Sequence, residues 1–289
     1  MNRVFAVWIS GWLLACVANV AAADGAATAT DVRNTVEGSM LVTGTIEVNP
    51  DGSLHDYTLD RPEKLPPVVV DVVSKTVSSW TFKLSEPINE VVKTEVSLRV
   101  VAKPVGDGKF RVVAEGASFG KPGNRNDQPS YKDRSFIPRF PRVVLNARVT
   151  GTVYVLTRIG RDGTVQEAIA EQVNLDQFGR EADMNRYRKQ LADSSIFAAR
   201  HWTFNPPTKG ADVDNPYWVV RIPVSFYYAE QGVPPAKQYG QWEAYIPGPR
   251  QTPSWIGKAL ANEAPDAMPG DGLRSGDPRL QLVTPVGGA

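Results

Sequence analysis

The side chains best suited to chemistry are few and stand apart. His55 and His201 are the two histidines and Cys16 the one cysteine. His55 follows the Asp51-Gly52 turn and neighbours Asp56, yet a metal needs three or four converging ligands. The matching turn of the chain's second half, Asp162-Gly163, carries no histidine. His201 stands at the expected end of a helix, where a cation suits the helix dipole. No Gly-x-Ser-x-Gly elbow, Walker loop, dinucleotide fingerprint or His-Glu-x-x-His occurs. Gly106-x-Gly108 reads as a hairpin turn, since a strand rather than a helix follows it. The expectation is a protein that is not an enzyme, with no cofactor and no metal.

Cys16 belongs to the chain's start. Arg3 supplies a positive region, Val4 to Val20 is mostly apolar, and Ala21-Ala22-Ala23 offers the small residues a signal peptidase needs. Residues 1–23 are expected to be a signal peptide, with Asp24 the first mature residue. Leu13-Leu14-Ala15-Cys16 also resembles a lipobox, which would make Cys16 a lipidated first residue. In both cases the exported chain has no disulfide and must be held by its core. The net charge of +1 provides no overall field for nucleic acid or an anionic membrane. Membrane contact is expected only through a lipidated Cys16 or a retained N-terminus.

The elements that would position any site come in two sets. Val42-Thr43-Gly44-Thr45 recurs as Val149-Thr150-Gly151-Thr152, Asp51-Gly52 as Asp162-Gly163, and Trp80-Thr81-Phe82 as Trp202-Thr203-Phe204. The three matches keep their order, at offsets of 107, 111 and 122 residues. Self-similarity at this distance predicts two related modules rather than a solenoid.

In the second module Val149, Val153 and Val155 alternate with polar neighbours, predicting a strand, and Thr164 to Val173 returns after the turn. Met184, Tyr187, Leu191, Ser195, Ala198 and Trp202 share a helical face, with Asp183 as cap. Trp218, Val220, Ile222, Val224, Phe226 and Tyr228 line one side of a last strand, giving the order β-β-α-β. In the first module Pro66 to Val73 has strand-like composition. Its match to the second predicts a helix instead, with Val69, Val73, Val77 and Trp80 on one face. Thr94 to Lys103 is the third strand, and Lys109 to Ala114 an extra one.

The fold class is therefore α+β: two tandem modules, each a small antiparallel sheet packed on one helix. Residues 38–114 form the first, 115–134 a polar linker and 135–229 the second. Residues 230–289 are a Pro/Gly-rich tail expected to be extended or partly disordered. Trp242, Tyr245, Trp255 and Ile256 are its candidate packing points.

The second module resembles the C-terminal domain of TonB. The resemblance rests on Pro138-Arg139-Phe140-Pro141, Gly151-Thr152-Val153, Asp162-Gly163, Trp202-Thr203-Phe204 with Pro206, and Val219 with Ile222-Pro223-Val224 and Phe226. Phe140 replaces that family's usual tyrosine. The resemblance implies a Gram-negative periplasmic location and pairing, by strand addition, with a short segment of an envelope protein. The TonB spacer has no counterpart, because only about fifteen residues separate the signal from the first module. A protein-binding or scaffolding role in transmembrane transport is expected. The alternative is a genuine energy transducer or a lipid-anchored transport component.

Tyr217, Val219, Arg221, Pro223, Ser225 and Tyr227 are the candidate partner-binding residues, on a strand expected at a sheet edge. Pro223 supports that location, because proline cannot donate to a ladder. The same residue can block part of the edge.

Overall fold

The computed structural model describes residues 36–85, 87, 89–120, 126–210, 212–228, 238–268, 272–276 and 279–287. The expected signal segment, residues 1–23, and Cys16 lie outside them. The fold is mixed α+β, with several small antiparallel sheets.

The first half opens with β1 (Glu37–Val48) and β2 (Leu54–Leu59), followed by α1 (Pro67–Ser78) and β3 (Phe82–Leu84). Two long strands, β4 (Val92–Gly106) and β5 (Lys109–Phe119), complete it. Its sheet runs β2-β1-β4-β5. Proline opens α1, and Val69, Val73 and Val77 are fully or almost fully buried. Burial of that valine face against the sheet overrides the strand propensity of the run. Trp80, Phe82 and Phe119 meet edge to face in the same core.

The second half has β6 (Ser130–Asp133), α2 (Arg142–Asn146), β7 (Gly151–Gly160), β8 (Val165–Leu175) and α3 (Glu181–Ala199). Then come β9 (Thr203–Asn205) and β10 (Tyr217–Phe226), and the sheet runs β10-β7-β8. Met184, Leu191, Ser195 and Ala198 face its core, as the helical spacing predicts, while Tyr187 is half-buried. Asp183 does not cap α3. The N-cap position falls on Arg180, and the Asp183 carboxylate accepts from Arg180 and Arg186.

The motifs that repeat in sequence make repeated bonds. Asp51 accepts the backbone N–H of Ser53, and Asp162 that of Thr164. The N–H of Phe82 donates to the Gly52 carbonyl at 2.7 Å, and that of Phe204 to the Gly163 carbonyl at 2.8 Å. Thr43 Oγ1 donates to Asp60 and Thr150 Oγ1 to Asp176, each at 2.6 Å. The first half alone adds an outer strand, β5, to its sheet.

Two expected boundaries change. Residues 115–119 of the expected linker continue β5, where Ser118 and Phe119 are buried, and residues 130–133 form β6 against β9. The local polarity of that stretch had concealed its pairing. The described residues of the tail are integral to the packing. They contribute β11 (Glu243–Tyr245) against β1, α4 (Lys258–Asn262), and β12 (Leu280–Leu282) against β3. Leu273 enters the core of the second half and Leu280 that of the first. Of the four expected packing points, Tyr245 is buried and Trp242 is exposed.

The two short strands are completed by distant segments. Beside β9 runs β6, and Trp202 Nε1 donates to the Phe136 carbonyl at 2.8 Å. Beside β3 runs β12, and Trp80 Nε1 donates to the Val286 carbonyl at 3.4 Å. The start of the second half closes the second core, whereas the end of the tail closes the first.

Candidate functional site

The candidate strand is β10, which ends its sheet with β7 as its neighbour from Tyr217↔Gly160 to Phe226↔Gly151. Trp218, Val220, Ile222, Val224 and Phe226 are buried, while Tyr228 lies beyond the strand and is exposed. The alternate residues carry the outward edge. The N–H of Arg221 donates to the Arg274 carbonyl at 2.7 Å, and the N–H of Arg274 donates back at 2.9 Å. Because N–H and C=O alternate sides along a strand, Tyr217, Val219, Pro223 and Ser225 share that outward direction. Pro223 therefore removes no bond from the β7 ladder, which explains how a proline sits inside the strand.

The structure brings the six candidates onto one edge but gives them different surroundings. Tyr217 donates to the Trp255 carbonyl at 3.4 Å and lies under the Arg158 guanidinium. Val219 is half-buried, Pro223 is buried, and the Ser225 hydroxyl lies 3.2 Å from that of Thr152. Tyr227 is exposed just past the strand. Arg221 is fully buried, and its outward backbone groups are taken by the chain's own tail. The edge is thus filled at its middle, and among the described residues no backbone pairing occupies its two ends. An open cleft adjoins the Tyr217–Val219 end, bordered by Lys83, Trp255, Lys258 and Arg279.

Beneath the edge lies an ionic layer that sequence reasoning missed. Arg221 donates to Glu171 of β8 through Nε at 2.6 Å and Nη2 at 2.9 Å, and Glu171 is also fully buried. Arg250 reaches the same carboxylate at 2.7 and 3.0 Å. The Leu260 carbonyl receives both guanidinium groups. Glu263 lies 3.7 Å from Arg221 and also accepts the N–H of Phe119 in β5. Arg274 donates from Nη1 to Ser118 of β5 at 2.7 Å. Its Nε and Nη2 are buried and have no hydrogen-bond partner among the described residues. Burial pulls the Arg274 pKa down, against the opposing pull of Glu263 and Glu95.

A second group ties β4 to β8. Arg99 donates to the Asp266 carbonyl, while Asn174 and Tyr245 donate to the Asp266 carboxylate at 2.9 and 2.5 Å. Burial, then the Asp266 charge, raises the Tyr245 pKa and keeps that phenol a donor. Tyr154 is likewise pushed up by burial. Buried ion pairs lose hydration and gain little net stability, so their value lies in fixing one arrangement. Here they hold tail residues against strands of both halves.

No protein-family model, curated protein or solved structure matches this chain.

The histidines are not brought together. His55, at the start of β2, has Nδ1 3.0 Å from Asn49 Oδ1, and His201 stacks on Phe136. Among the described residues, no group of His, Cys, Asp and Glu could hold a metal. One signal for the ionic layer was present: Arg221 is the only charged residue of its strand and is flanked by Val220 and Ile222. Its partners Glu171, Glu263 and Arg274 had no comparable mark, since an outward polar residue ordinarily faces water.

Proposed function

We propose that this is an exported periplasmic protein of two TonB-C-like modules that binds an extended segment of another envelope protein. Its role is non-enzymatic, in scaffolding associated with transmembrane transport. The observation that carries the reading is the free side of β10: backbone groups face outward along the strand, and the described tail pairs with them only at Arg221. Strand addition uses such groups for affinity and alternate side chains for selection. The bonds repeated at Gly52 and Gly163, and at Thr43 and Thr150, support a common origin for the two modules.

A photo-crosslinking residue placed in cells at Val219 or Ser225 tests the proposal. The expected result is a discrete adduct with an envelope protein, competed by a peptide from the crosslinked segment. Adducts from exposed positions elsewhere, such as Val105, with none from β10 would exclude this edge as the binding site.

A further inference from the structure

Of the thirteen large hydrophobic side chains exposed among the described residues, seven gather on one surface of the second half. Phe136, Ile137, Val143 and Leu145 belong to the strap before β7. Phe197 is near the end of α3, and Tyr227-Tyr228 follow β10. Ring contacts and hydrogen bonds tie the strap to α3 and to the end of β10. Phe136 packs on Phe197 at 5.5 Å and on His201 at 4.3 Å between ring centres. Ser194 of α3 donates to the Arg139 carbonyl at 2.6 Å, and Tyr228 donates to the Leu145 carbonyl at 2.6 Å.

The same face is basic. No aspartate or glutamate occurs from Arg134 through Arg161. Arg139, Arg142, Arg148 and Arg200 are exposed and in no ion pair among the described residues. Of the α3 carboxylates, Asp183 and Asp193 are engaged by Arg180, Arg186 and Lys189, and Glu181 lies in the first turn, at the other end of the helix from Phe197. A whole-chain charge of +1 conceals this local excess.

We propose that this face docks on an anionic phospholipid bilayer. Ile137, 75% exposed, and Phe197, 57% exposed, enter the boundary between headgroups and acyl chains. The arginines meet lipid phosphates. Apolar side chains beside unpaired cations fit a surface that is apolar beneath and anionic above. The open cleft beside β10 and the small cavity beneath β12 are lined by other residues, so this face is separate from both.

Flotation of the full chain with phosphatidylglycerol–phosphatidylcholine vesicles, against phosphatidylcholine alone, tests this. Residues before 24 are identical in all variants, so differences between variants report this face. Binding is expected to the anionic vesicles. The pair Arg139→Gln and Arg142→Gln should weaken it by about fivefold per arginine. The pair Ile137→Ser and Phe197→Ser should weaken it with only a small shift of the urea midpoint, because both side chains are largely exposed and Phe197 gives up only its ring contacts to Phe136 and His201. Equal vesicle binding by wild type and variants would overturn the proposal. Failure to bind vesicles would also overturn it, and capture of soluble polyglutamate in that case would assign the arginines to an acidic protein partner. None of the four substitutions touches the β10 edge, so this result is independent of crosslinking there.

Discussion

Arg221 and Arg274 exchange two backbone hydrogen bonds, at 2.7 and 2.9 Å, and their guanidinium groups are both buried. The pairing places a residue of the tail on the open side of the last strand. An incoming strand would have to displace Arg274 to run the length of β10. Arg274→Gly keeps the backbone groups but removes the buried cation and its bond to Ser118. Crosslinking yield from Val219 is expected to rise in this variant, as measured in the same cells as wild type. An unchanged yield would show that Arg274 does not limit access.

The Glu171 carboxylate serves two guanidinium groups, so its loss should exceed that of an ordinary surface pair. Glu171→Ala leaves Arg221 and Arg250 without their shared anion. A loss of about 3–5 kcal/mol in urea unfolding is expected. Arg250→Ala should cost less, because its side chain is 30% exposed and Arg221 still pairs with Glu171.

At Gly52 and Gly163 the backbone has φ of 84° and 79°, and an added Cβ would lie 2.0 and 2.1 Å from the Phe82 and Phe204 carbonyls. Left-handed backbone strain alone costs about 1–3 kcal/mol. Gly52→Ala and Gly163→Ala should therefore each cost at least that much in chemical unfolding. A neutral outcome at either turn would contradict the close approach described here.

The turn aspartates give a pH signature. The side-chain bond from Ser53 chiefly lowers the Asp51 pKa below its ordinary value of 3.8, and the backbone bond from Thr164 chiefly lowers that of Asp162. With the folded pKa below the unfolded one, the stabilisation is present above the unfolded pKa and fades as pH falls through the folded value. Asp51→Asn and Asp162→Asn should differ most from wild type near neutrality and approach it below about pH 4. Urea midpoints measured across that range provide the check.

Much of this architecture was legible in the sequence, but for uneven reasons. Alternation at Val149, Val153 and Val155 and the α3 spacing of Met184, Leu191, Ser195 and Ala198 report burial directly. The valine-rich run of α1 was legible only through its repeat partner. The ends of β5, β6 and β12 depended on partners far away in the chain, as did the ionic layer. Glu171 and Asp266 look like surface groups until the tail covers them, and neither periodicity nor turn chemistry describes that covering.

The crossed closure of the two cores bears on how the chain assembles. During synthesis Phe136 emerges before Trp202, so the second half has its backbone acceptor waiting. Trp80 must wait for Val286, 206 positions later. Such long-range contacts slow folding, because a large loop must close before they repay its entropy. The part of the chain made first is therefore the part completed last, and a chain truncated near residue 279 would leave an unfinished N-terminal half beside a nearly finished C-terminal one.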